Sequence, residues 1–197
     1  MNGVMWRMAV MVLSALVLFA AAAGADDALM AEARALASQG IRYGAAVTVE
    51  GDGQKWVMDC SNAARYLISR TRGVELPRTA SGQYQYLREH GKLRRVGGLF
   101  SGIPDERWWA KRMKPGDLIF WEHTYKPQRK PPVTHVMVYL GRGPDGDLLM
   151  AGSQNSRGVD IYEFQPRVPY GGHGGFLGLF KKKGRVVGFG RLPEPRD

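Results

Sequence analysis

Met113-Lys114-Pro115-Gly116-Asp117-Leu118-Ile119-Phe120-Trp121 is the stretch at which the apolar pattern of this chain changes its period. Pro115-Gly116 marks a turn, and the run that leaves it is rich in β-branched and aromatic side chains, as a strand requires. Downstream, residues 133–140, 148–151, 159–162 and 185–189 have the same character, and Gly141-Arg142-Gly143-Pro144-Asp145-Gly146-Asp147 is a strong turn between two of them. Upstream the spacing is helical. Leu29, Met30, Ala33 and Leu36 recur on one face of a helix over residues 26–40, closed by Gly40. A second helix starts at Cys60 behind the capping residue Asp59 and stops before Gly73, and a third covers 81–90 and ends at Gly91. Residues 92–112, basic and turn-rich around Trp108-Trp109, yield no assignable element. Helices first and sheet afterwards predict an α+β fold, with N-terminal helices packed on an antiparallel sheet, rather than an alternating doubly wound one.

The first residues read differently. Arg7 precedes an uncharged run from Met8 to Ala23, and small residues lead to Ala23-Gly24-Ala25. This is the pattern of a secretory leader cleaved after Ala25, since the run is short for a bilayer span and ends in Ala and Gly. Residues 26–197 then form a single domain, periplasmic or secreted, with no transmembrane segment after cleavage. The chain carries a formal charge of +10, of which only Arg7 belongs to the leader. A field of that sign favours polyanions, and outside the cytoplasm the partner expected is peptidoglycan or another anionic cell-envelope polymer rather than nucleic acid. A monomer is expected.

Cysteines of exported proteins usually come in pairs, yet Cys60 is alone. A single thiol there is a buried hydrophobe, an intermolecular bridge or a reactive group. Its place favours the last, because a helix start offers unpaired N–H groups that favour thiolate and can face an oxyanion. A thiol nucleophile also needs a base, and imidazole suits neutral pH. Of the four histidines, His90 ends a helix among charged residues, His123 lies in a basic insertion and His173 in a glycine-rich loop. Only His135 heads an apolar strand able to hold an imidazole firmly.

Four ordered blocks then carry a resemblance. Asp59-Cys60-Ser61-Asn62, Gly73 to Thr79 with Gln83, Met113 to Trp121, and Thr134 to Gly141 resemble in sequence the consecutive blocks of the NlpC/P60 family, with Tyr43-Gly44 as a weaker upstream match and a motif core over 43–162. The resemblance implies a papain-like fold and a cysteine hydrolase acting on peptidoglycan stem peptides, commonly beside γ-D-glutamyl, without metal or cofactor. Cys60 and His135 take the nucleophile and base positions, while Asp59, Ser61 and Tyr43 take positions that line the site and hold the stem's amine. Asp59 and Ser61 equally suit a helix cap, and Tyr43 a core aromatic.

The match departs from the family in two places. The family's third polar residue, which orients the imidazole, falls on Met150, and Asn62 stands where Gly is common. Ser153 or Asn155 just beyond Met150, or a backbone carbonyl, is left to orient His135. Two alternatives to hydrolysis follow: an inactive wall-binding module, and acyl transfer to an acceptor other than water. No His-Glu-x-x-His run, phosphate loop or dinucleotide fingerprint is present. Residues 122–132 and 170–178 are expected to be surface loops or lids.

Overall fold

The structure, a computed structural model, describes residues 26–44, 57–97, 102, 104–124, 130–154, 157–168 and 184–192. The leader over 1–25, Asn155, His173 and the glycine-dense stretch 170–178 lie outside the described residues, as do residues 125–129 of the basic insertion.

Helix α1 covers residues 26–37 and turns Leu29, Ala33 and Leu36 into the core. Helix α2, Cys60–Arg72, starts where Asp59, in extended conformation, accepts the backbone N–H of Asn62 at 2.8 Å. It stops at Gly73, whose φ of 64° is a left-handed conformation that a side chain would strain. Between these caps Ala63, Ala64, Leu67 and Ile68 are completely buried, one stripe at helical spacing. Helix α3, Ala80–Glu89, begins one residue earlier than the sequence suggests, because the Thr79 hydroxyl accepts the N–H of Gly82 at 3.1 Å.

The strands are β1 (Arg42–Tyr43), β2 (Val57–Met58), β3 (Leu93–Arg95), β4 (Leu118–Glu122), β5 (Val133–Arg142), β6 (Leu148–Gln154), β7 (Gly158–Glu163), β8 (Arg167–Val168) and β9 (Gly184–Gly190). The main sheet runs β3-β9-β4-β5-β6-β7, every neighbour antiparallel, with β8 also on β9. β1 and β2 form a separate parallel pair. β4 and β5 are covered on both faces, so they read as continuous apolar runs rather than alternating ones.

The sheet separates two cores. On one side Leu118, Phe120, Val136, Val138 and Leu140 meet the buried stripes of the first three helices. On the other, Ile119, Trp121, Met137, Tyr139 and Phe189 pack with Trp109. Trp109 belongs to a fourth helix, α4 (Glu106–Arg112), capped by Asp105 through the N–H of Trp108 at 2.8 Å. The sheet is therefore covered from both sides, where the sequence pointed only to N-terminal helices.

Candidate active site

Cys60 is the first residue of α2, and α2 lies across β5 and β6. This places the sulfur against the start of β5. The backbone N–H of Val136 is directed at it, together with those of Ser61 and Cys60 itself, and all three favour a thiolate. Burial acts the other way and wins: it pushes the thiol pKa up from 9.0 to about 12, with the Asp59 carboxylate adding to the rise. The helix start therefore does not hold Cys60 as a thiolate in the resting protein, contrary to the sequence-based expectation.

His135 is the neighbour of Val136 on β5. It pairs across the sheet with Trp121, and the two rings meet edge to face with centroids 5.6 Å apart. Burial pushes its pKa down from 6.5 to about 4, and the Asp59 carboxylate partly offsets that. The imidazole is thus neutral, a state in which one ring nitrogen can accept a proton. No hydrogen bond joins it to the thiol or to any other described residue, it is not among the residues lining the recess beside Cys60, and its ring lies with Trp121 on the face of the sheet away from α2.

Beside the thiol lies a recess of about 340 Å³ whose lining includes Tyr43, Asp59, Cys60, Ser61, Arg78 and Thr134. All three positions expected to line the site are in it. Arg78 organises the rim: its Nη2 donates to Asp59 Oδ2 at 2.7 Å and its Nη1 to Ser61 Oγ at 2.9 Å, while Ser61 Oγ donates to Asp59 Oδ1 at 2.9 Å. Sequence reasoning gave Arg78 no role, because one arginine among 28 basic residues carries no local mark of the carboxylate it will meet. Gln83 supports the same turn from α3, its Nε2 donating to the carbonyls of Ser61 and Pro77, each at 3.0 Å.

Of the two side chains suggested to orient the imidazole, Ser153 is engaged elsewhere. Ser153 Oγ donates to the Met58 carbonyl at 2.6 Å, and its neighbour on β6, Ala151, faces the helix-covered core while Trp121, the cross-strand partner of His135, faces the other. The hydroxyl fastens β6 to the strand preceding Cys60 instead. Asn155 lies outside the described residues. Met150 shares the His135 side of the sheet and pairs with Tyr139, and Met137 fills the space between, its sulfur 2.6 Å from where a Cβ on Gly152 would stand. Met150, opposite Tyr139, thus lies four residues along β5 from His135, and of the two thioethers only Met137 is the next residue on that face.

Of the other histidines, the described His90 and His123 lie elsewhere. His90 Nδ1 is 2.8 Å from the Tyr86 carbonyl, and His123 Nε2 is 3.4 Å from Glu122. Among the described residues no group of three or more His, Cys, Asp or Glu is placed to hold a metal. Among them, too, no helix is long and apolar enough to cross a membrane.

A comparison with curated proteins gives no match. The model of the NlpC/P60 family, a family of cell-wall peptidases and hydrolases, matches residues 47–168. That span holds Cys60, Arg78 and His135 and most of the sheet, and the α+β architecture agrees with the papain-like fold. The chain belongs to the NlpC/P60 family.

Proposed function

We propose that this protein is an exported endopeptidase that cuts an amide bond of peptidoglycan stem peptides, of the γ-D-glutamyl-diamino acid type. The observation that supports it most is the position of Cys60: first residue of a helix, facing three backbone N–H groups, on the wall of a recess rimmed by Asp59, Ser61 and Arg78. For His135 to take the thiol proton as the sulfur attacks the amide carbonyl, its ring must turn from Trp121 to the Cys60 side of β5. The amides around Cys60 stabilise the oxyanion, the imidazolium returns the proton to the leaving amine, and water, activated by the same ring, releases the thioester. Both groups start neutral, so the proton moves during attack rather than before it. Asp59 favours the imidazolium in that step. The reaction needs no metal. Export follows from residues 1–25, and the polar rim suits the free amine of a stem peptide, with Asp59 as its counter-charge.

Wild type and Cys60→Ala incubated with purified wall fragments provide the test. Wild type is expected to release stem-peptide products by mass spectrometry and the variant none, a loss of at least about 10³-fold for removal of a nucleophile. Equal product from both would end the assignment.

A second reading is supported by the His135 ring, which lies against Trp121 without a hydrogen bond to the thiol, and by the raised thiol pKa: a wall-binding module whose site no longer turns over. Sedimentation with insoluble wall without release of fragments, by wild type as by variant, would favour it.

A further inference from the structure

A second recess, of about 240 Å³, lies away from the thiol. Its wall contains Lys92, Arg94, Arg112 and Arg191, with Asp117 as its one acid and with Phe189 and glycine backbone beneath. The recess shares no residue with the one at Cys60. It sits by the opposite end of α2, where Arg72 Nη2 donates to the Pro115 carbonyl at 2.9 Å, two residues before Asp117. A helix of 13 residues puts about 18 Å between its ends, which is roughly the distance from Cys60.

Two of the four cations are held in place. Arg112 stacks on the Trp108 ring at 4.4 Å from its centroid, and Arg191 Nε donates to Asp117 Oδ1 at 3.2 Å. The other oxygen of Asp117 accepts the N–H of Lys114 at 2.9 Å. Its charge is thus committed inside the wall. Lys92, Arg94 and Arg112 form no ion pair with an acid among the described residues. Cations crowded around one hollow repel one another and are relieved by an anion. Three guanidinium forks and an ammonium offer more donors than the two oxygens of a carboxylate can accept, whereas a phosphate group presents more oxygens and matches the fork spacing. Anchoring of two of the four side chains lowers the ordering cost of binding.

The geometry points to a binding site in this recess for a phosphate group, apart from the reaction centre. The site stands whether or not Cys60 turns over, because none of its residues belongs to the thiol's surroundings.

The test uses the full ¹⁵N-labelled protein titrated with glucose 6-phosphate and, separately, with poly(glycerol phosphate), at an ionic strength held constant with sodium chloride. Saturable shifts are expected at the amides of Gly91, Lys92 and Gly190 and not at Ser61 or Thr134. The double variant Lys92→Gln/Arg94→Gln removes two exposed cations that pin nothing else. It should weaken binding by about tenfold or more while leaving hydrolysis of soluble stem peptides unchanged. Saturation by the sugar phosphate alone assigns the site to a small metabolite, and tighter binding of the polymer assigns it to an envelope chain. Shifts reproduced by sodium chloride alone, shifts centred on Ser61, or equal affinity in the double variant would overturn the proposal.

Discussion

Cys60 and His135 show how one cause, burial, acts in opposite directions on two titrations. The thiol moves up because its charged form is the deprotonated one, and the imidazole moves down because its charged form is the protonated one. Each shift has a consequence for stability. Unfolded, His135 binds a proton near pH 6.5; folded, it does so only near about 4, so stability falls as the pH drops through that interval. Unfolded, Cys60 loses its proton near 9.0 and folded near about 12, so stability falls again as the pH rises through that range. Thermal unfolding across pH should therefore show His135→Gln losing less stability than wild type between pH 6.5 and 4. Cys60→Ala should likewise lose less above pH 9. Parallel wild-type and variant curves in both ranges would show that neither group is desolvated as described. The sequence singles out both groups, through a lone cysteine after a capping aspartate and a histidine heading an apolar strand, but not the face of the sheet on which the ring lies. It could not supply the sign of the thiol shift. A helix start is a local feature, whereas desolvation comes from β5 and α3, which reach Cys60 from far along the chain.

At the level of elements, caps and long apolar runs were readable and pairings were not. Asp59 and Gly73 bound α2 in the sequence as they do in the structure, and all five runs expected to be strands became β4, β5, β6, β7 and β9. Missed were α4, a seven-residue helix whose paired tryptophans show no periodicity, and β3, whose Leu-Arg-Arg has strand geometry only because β9 offers it an edge. The short β1 and β2 depend in the same way on each other and on β7: Gly158 at φ 77° comes so close to the Ile41 carbonyl that a Cβ would stand 2.1 Å from it. Ser153 belongs to this scale too. Its buried hydroxyl, expected near the imidazole, instead satisfies the carbonyl of Met58, two residues before Cys60. Ser153→Ala should lower stability by about 1–3 kcal/mol in urea denaturation, since a buried acceptor loses its closest donor. A variant as stable as wild type would mean that the backbone N–H of Gly44, 3.3 Å from the same carbonyl, suffices alone.

For the whole molecule the decisive feature is the sheet with a packed core on each face, one against α1, α2 and α3 and one around Trp109. A sequence read along its length shows which residues are apolar but not to which side of a buried strand they go. β5 is apolar without interruption from Val136 to Leu140, and only the register with β4 sorts Val136 and Val138 from Met137 and Tyr139. That sorting makes the backbone ladder a partition. Ile68→Val on the helical side and Ile119→Val on the other should each cost about 0.5–1.5 kcal/mol, and the double mutant should cost their sum to within about 0.5 kcal/mol. Ile68→Val combined with Val138→Ala, both in one compartment, should depart from the sum by more. A coupling across the sheet as large as the one within a compartment would mean that the two sides relax together. Independence would mean that the tryptophan-lined half can be re-engineered residue by residue without disturbing the half on which the helix of Cys60 rests.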